Sequence, residues 1–222
     1  MEILQAPSPN YTKWRAGRVP IAIVNHITAG LFPGCLTWMQ NPGSKASSHY
    51  LITKRGLIYQ LVQDEDTAYT SGFARNPTWS LYDGSNPNYY TLNIEHEDLG
   101  PEPTTEEQYQ ATLWLHKQLI AKWGVPIDSE HIIGHNRIDT INRANDPGNF
   151  PWDRLFADLL KGANDMPEGA QAAKIIVGGK EYPAYIKGGH VYFGQGVPVH
   201  EFMQAVPRTL DWNSEKMTLF IK

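Results

Sequence analysis

Two histidines and an aspartate stand at the edges of segments that would hold them rigidly. His26 closes the apolar run Val19-Pro20-Ile21-Ala22-Ile23-Val24-Asn25-His26-Ile27, His135 follows Ile132-Ile133-Gly134, and Asp146 opens the turn Asp146-Pro147-Gly148. Strands and tight turns of this kind present a side chain in a fixed pose. Two imidazoles and one carboxylate make a catalytic zinc set with the fourth position left for water. Zinc so held acidifies that water and polarises a carbonyl, two of the things amide hydrolysis needs. The chain has eight histidines, so spacing alone does not single these two out. Cys35 is the one cysteine, which excludes an intrachain disulfide. Its sequence neighbours offer nothing to lower its pKa, so it reads as a buried structural thiol.

The elements that must position these residues alternate between strand and helix signals. Val19 to Ile27 is a β-rich run. Leu36 to Gln40 reads as a helical turn before the breaker Asn41-Pro42-Gly43. Ser47 to Thr53 and Leu57 to Val62 flank Lys54-Arg55-Gly56 as a β-hairpin. Residues 73–90, rich in Gly, Pro, Asn and aromatics, read as a long ordered loop. Tyr90 to Glu97 alternates as a strand, with Glu95 and Glu97 on one face and His96 on the other. Thr104 and Glu107 form a capping box for a helix in which Tyr109, Leu113, Leu119 or Ile120, and Trp123 recur at helical spacing. Gly124 and Pro126 stop it. His131 to Gly134 is a short strand, and Trp152 to Leu160 a second amphipathic helix.

The segments V-N-H-I-T, S-S-H-Y-L-I-T-K-R-G-L-I-Y-Q-L-V, L-N-I-E-H-E, I-I-G-H-N-R-I-D and N-D-P-G-N-F-P-W-D-R-L resemble the N-acetylmuramoyl-L-alanine amidase family. Phage lysozyme-like amidases, bacterial recycling amidases and animal peptidoglycan recognition proteins share that family. The resemblance covers about residues 18 to 160 in the family's order and spacing. It implies an α/β fold, a mixed β-sheet flanked by helices, with one Zn²⁺ per chain in a surface groove. The zinc ligands fall on His26, His135 and Asp146, and the catalytic glutamate, which moves the proton from water to the departing amine, falls on Glu95. The substrate implied is bacterial peptidoglycan, cut between N-acetylmuramic acid and L-alanine.

The chain departs from the family pattern in three places. Ala144 stands where many members have a lysine two residues before the third ligand, Ser48 where some have a tyrosine, and Thr70 where the W-H-A-G segment has its histidine. The oxyanion stabiliser is therefore open, with Arg143 and Arg137 as candidates. His49 and Arg143 are the expected substrate-binding residues.

Composition shifts after residue 161. Residues 1–161 read as the catalytic domain, 162–171 as a linker, and 172–222 as a small α+β domain. Strands are expected at 174–177, 182–187, 190–193 and 217–221, with a short helix at Val199 to Ala205. I-I-V-G-G-K-E-Y-P and G-G-H-V-Y-F resemble the small domain named after the N-terminal stalk of copper amine oxidases. That resemblance implies a wall-associated accessory module.

A formal charge of −4 and the lack of any Lys/Arg run argue against a nucleic-acid partner. No stretch is long and apolar enough for membrane insertion. The start Met1-Glu2-Ile3-Leu4-Gln5 lacks the pattern of a signal peptide, so synthesis in the cytoplasm is expected. Together these readings suggest a phage endolysin released through a holin-type pore, or a prophage-type autolysin. A non-catalytic peptidoglycan-binding module and a zinc amidase of soluble muropeptides are the alternatives.

Overall fold

A strand that is apolar on both faces must be covered on both, and the run leading to His26 obeys that rule. In a computed structural model it forms β3 (Ala22–Ile27), with Ala22, Ile23 and Val24 fully enclosed. The structure describes residues 1–100 and 102–161, and beyond them the strands at 171–177, 180–187, 190–193, 210–213 and 218–221. The chain divides into two compact units, Met1–Trp152 and Asp153–Lys222.

The first unit is built on a mixed six-stranded sheet. Its order is β1 (Ile3–Gln5), β5 (Ile58–Gln60), β4 (Tyr50–Ile52), β7 (Thr91–His96), β3 and β8 (Ile132–Gly134). β4, β7, β3 and β8 run parallel, while β4 and β5 form the expected antiparallel hairpin with Ile52 opposite Ile58. A two-stranded ribbon of β2 (Tyr11–Thr12) and β6 (Thr67–Ala68) lies apart from this sheet's ladder. Helices α1 (Gly34–Gln40) and α2 (Glu106–Trp123) complete the mixed α/β arrangement.

Two local expectations shift. β3 begins at Ala22 rather than Val19, because Pro20 has no N–H to give to a ladder and Val19 lies exposed. The cap of α2 is Thr105, not Thr104. Thr105 Oγ1 accepts the Gln108 N–H, and Gln108 sends its side chain to the carbonyls of Ile52 and Glu97 instead of back to the cap. Leu113 is only partly buried. The enclosed face of α2 instead carries Tyr109, Thr112, Leu115, His116 and Leu119. Polar residues can sit there because Thr112 Oγ1 meets His96 Nε2 at 3.1 Å and His116 Nδ1 donates to the Thr112 carbonyl at 2.8 Å.

In the second unit, β11 (His190–Phe193), β10 (Lys180–Lys187), β9 (Gln171–Val177), β13 (Thr218–Ile221) and β12 (Leu210–Asn213) form a five-stranded sheet in that order. Only β9 and β13 are parallel among these pairs. β12 had no counterpart in the sequence reading. The helix expected at Val199 to Ala205 and the linker through residue 170 lie outside the described residues. α3 (Trp152–Lys161) spans the division between the units.

A buried carboxylate ties the end of α2 to the hairpin. Asp64, 1% exposed, accepts from Tyr50 Oη at 2.6 Å, Lys122 Nζ at 2.9 Å and Trp123 Nε1 at 3.0 Å. Burial would raise its pKa, but these three donors outweigh burial and hold it below the ordinary carboxylate value. A folded-state pKa below the unfolded one stabilises the protein fully above about pH 4 and is lost as pH falls through the folded value. Asp64→Ala should therefore cost about 2 kcal/mol at neutral pH, since it leaves the buried Tyr50 hydroxyl and the Trp123 indole N–H without their acceptor. Asp64→Asn should flatten the acid limb of the stability curve. Urea unfolding as a function of pH measures both.

Candidate metal and catalytic site

Ligands of open α/β sheets gather at the carboxyl ends of parallel strands, and three such ends meet here. In register, His26 on β3 stands beside Glu95 on β7, and Asn25 stands beside Gly134 on β8. His135 is the residue after β8, so it emerges beside His26. The rings meet edge to face, with centroids 4.6 Å apart.

Asp146 arrives from the loop that follows. Asp139 anchors that loop by accepting from the backbone N–H groups of Ile141 and Asn142. Asn136 N–H donates to the Asp146 carbonyl, and Ile27 N–H donates to Asp146 Oδ1 at 2.9 Å. One carboxylate oxygen is thus pinned by the main chain, which leaves Oδ2 aimed at the histidines.

The three donor atoms converge. His26 Nδ1 lies 3.1 Å from His135 Nδ1, His135 Nδ1 lies 3.0 Å from Asp146 Oδ2, and His26 Nδ1 lies 3.6 Å from Asp146 Oδ2. A tetrahedral ion held at 2.0–2.1 Å needs donors about 3.3 Å apart, a value these separations bracket. The set of two nitrogens and one carboxylate oxygen suits zinc, and all three residues are buried. Burial opposes charge on both rings. At His26 the bond and charge of Asp146 prevail and raise its pKa, whereas the His135 pKa stays lowered. Burial would also raise Asp146, yet the two histidines hold it well below the ordinary range.

Glu95 faces the same groove, whose volume is about 690 Å³, within the range of small-molecule sites. Glu95 Oε2 is enclosed and has no hydrogen-bond partner among the described residues. Burial pushes this carboxyl up to about 8; the His26 charge opposes the shift, Asp146 adds to it, and Arg143 opposes it. Arg143 is exposed on the groove wall and forms no ion pair among the described residues. Ala144 lines the wall beside it with no polar side chain. Arg137, the other candidate oxyanion stabiliser, is committed elsewhere: it pairs with Glu130 at 2.7 Å and donates to the Thr78 and Ser129 carbonyls.

His49 is fully enclosed and does not line the groove. Its Nδ1 accepts the Asn93 N–H at 3.0 Å, and burial followed by the Arg15 charge lowers it to about 3. Its hydrogen bond toward the site runs to Asn93. Thr70, standing in the family's histidine position, turns its hydroxyl to the Ser47 carbonyl, and Ser48 turns its own to the Asn93 carbonyl. Glu97 spends both oxygens on the backbone N–H groups of Phe32 and Lys54. Cys35 touches the groove, but burial, with Glu97 adding, pushes its thiol up to about 11. At that value the thiolate is scarce at neutral pH.

The sequence reading missed Asn93 and Ser71. Asn93 Oδ1 lies 3.0 Å from His26 Nε2 and accepts from Ser71 Oγ at 2.7 Å. The usable signal was an amide between Leu92 and Ile94, two residues before Glu95 and on the same face.

Comparison with known proteins agrees with this geometry. Residues 16–149 match the family described as N-acetylmuramoyl-L-alanine amidase. The chain is 28% identical over 182 residues to N-acetylmuramoyl-L-alanine amidase A of Achromobacter lyticus, covering 73% of this chain and 94% of that one. It superposes on AmpD with a TM-score of 0.56 at 26% identity, covering 71% of this chain and 94% of AmpD. It also superposes on the E. coli amidase AmiD, solved with anhydro-N-acetylmuramic acid-L-Ala-D-γ-Glu-L-Lys. There the TM-score is 0.54 at 26% identity, covering 66% of this chain and 58% of AmiD.

The turn that carries Asp146 lies directly on β8. A Cβ at Gly134 would come within 2.6 Å of Pro147 Cδ and 3.2 Å of the Asp146 carbonyl. Gly134→Ala should therefore cost about 1–3 kcal/mol and push Asp146 away from the histidines. Gly34→Ala, where an added methyl meets nothing within 4 Å, is the control. Melting temperature and zinc uptake of the two variants, compared with the parent, test the idea. Equal behaviour of both variants would count against it.

Proposed function

The chain belongs to the N-acetylmuramoyl-L-alanine amidase family and hydrolyses the amide between the muramic acid and L-alanine of peptidoglycan. From that premise we propose that it uses one zinc ion held by His26, His135 and Asp146, with Glu95 as proton carrier. The observation that supports this most is the convergence of Nδ1, Nδ1 and Oδ2 at 3.0–3.6 Å on the wall of an open groove. Zinc bound there supplies an acidified water and a polarised carbonyl.

The chain's own residues do the rest. Glu95 takes a proton from the attacking water and returns it to the L-alanine nitrogen as the C–N bond breaks. The products are a muramic carboxylate and a stem peptide with a free amino terminus. Burial pushes this carboxyl up to about 8 in the metal-free protein, and a cation bound beside it would draw the value back down, toward the range in which one group can both take and return a proton. Arg143 sets positive charge on the groove wall, which would favour the oxygen that becomes negative during attack. Ala144 leaves that task to it.

Residues 1–161 then act as the catalytic domain, and 172–222 as a wall-associated module behind the linker 162–171, which suits a phage-type lysin working on intact walls. The second reading is an amidase of soluble muropeptides, and the likeness to AmiD, solved with such a fragment, favours it. Tethering raises the local concentration of an insoluble substrate. A chain ended at Lys161 should therefore keep its rate on a soluble muropeptide and clear intact walls more slowly. Equal loss on both substrates would defeat the wall-anchoring role, and an intact chain active only on soluble fragments would favour the second reading.

The purified protein should carry about one equivalent of zinc by metal analysis, and His135→Ala should lose most of it. Glu95→Gln should keep zinc and fold yet lose roughly 10²–10⁴-fold in rate. Mass spectrometry of the digest should show stem peptides with L-alanine amino termini. Full activity in a metal-free preparation would remove the zinc mechanism.

A further inference from the structure

We propose that Asn93 is the positioning residue that decides which ring nitrogen His26 offers to the metal. The inference rests on the zinc reading above. Asn93 is fully enclosed on β7, and its amide orientation is fixed by its neighbours. Nδ2 donates to Thr91 Oγ1 at 3.2 Å, and the Thr91 hydroxyl gives its own proton to the Pro87 carbonyl at 2.9 Å. Oδ1 therefore faces the other way, where it receives the Ser71 hydroxyl at 2.7 Å and lies 3.0 Å from His26 Nε2.

A carbonyl oxygen can only accept, so His26 Nε2 must carry the proton of that bond. A neutral imidazole has one N–H, which leaves the lone pair on Nδ1. Nδ1 is the atom that lies 3.1 Å from His135 Nδ1 and 3.6 Å from Asp146 Oδ2. The tautomer that binds a metal is thus selected before any ion arrives.

The main chain of Asn93 is held as firmly as its side chain. Its N–H donates to His49 Nδ1 at 3.0 Å, and its carbonyl accepts the Ser48 hydroxyl at 2.8 Å. His49, expected from the sequence at the site, and Ser48 beside it act on His26 through this residue. A ligand histidine that donates its second N–H to an oxygen is also a stronger base at the first nitrogen.

The test uses the full-length protein and zinc alone, with no turnover assay. Long-range ¹H–¹⁵N NMR of the metal-free protein should find His26 Nε2 protonated, and zinc addition should perturb Nδ1. A proton on Nδ1 with a bare Nε2 would overturn the proposal. In chelator competition, Asn93→Leu should bind zinc 10–100-fold more weakly. Asn93→Asp, which keeps an acceptor oxygen against His26, should stay within a few-fold of the parent. An Asn93→Leu protein that binds zinc like the parent, or equal losses in both variants, would also overturn it. Should Asn93→Leu fail to fold, the NMR reading of the parent decides alone. A parent that takes up no zinc defeats the metal reading, whereas the tautomer of His26 is read independently of it.

Discussion

His26 beside Glu95, and Asn25 beside Gly134: the groove depends on this alignment of β3 with its two parallel neighbours. The side-chain period of a strand is two, so a slip of one residue would send every side chain of β3 to the opposite face. His26 would then turn away from Glu95 and from the loop bearing Asp146. Burial prevents the slip. Ala22, Ile23 and Val24 are enclosed on both faces, and Leu92, Ile94, Ile132 and Ile133 fill the positions around them. The same apolar packing that stabilises the sheet fixes where the chemistry sits.

Within that frame two carboxylates are driven in opposite directions. Glu95, with an enclosed and unpartnered oxygen, is pushed up to about 8, whereas Asp146 is held low by two histidines and a backbone N–H. Environments that separate like groups in this way suit them to different work, here the proposed proton transfer for one and a fixed negative charge for the other. The histidines divide similarly. His26 and His135 face each other at the groove, while His96 and His116 lie buried with pKa values lowered by burial to about 3 and about 4. Neutral at ordinary pH, His96 serves as a polar strut between β7 and α2, while His116 bonds to the Thr112 carbonyl one turn back in its own helix.

What was legible in the sequence was local. His26 after an apolar run, His135 after Ile132-Ile133-Gly134 and Asp146 before Pro147-Gly148 each announce a rigid backbone, and the structure brings these three together. Alternation along β7 also separated Glu95 from His96 correctly, since Glu95 faces the groove and His96 packs against α2 and Phe150. What was not legible depended on partners distant in the chain. Nothing near His49 tells that Arg15 would fill the space beside its ring, 2.6 Å from Nε2. Thr104 and Thr105 are equivalent caps by composition, and only the Lys54 carbonyl that accepts the Thr105 hydroxyl chooses between them. The three-residue strand β1 has too few positions to show a period, and it exists because β5 offers it an edge.

The donors that hold the two ends of the proposed ligand set differ in kind. Asp146 Oδ1 is held by a main-chain N–H, that of Ile27, whereas His26 Nε2 rests on a side chain, that of Asn93. Every amino acid except proline carries a backbone N–H, so drift at position 27 leaves the orientation of Asp146 intact. A single substitution at position 93 can remove the support of His26. The two ligands therefore age differently under mutation. One is buffered by the polymer itself, and the other is open to adjustment, which makes position 93 the place where a lineage could retune affinity for the ion without touching a ligand.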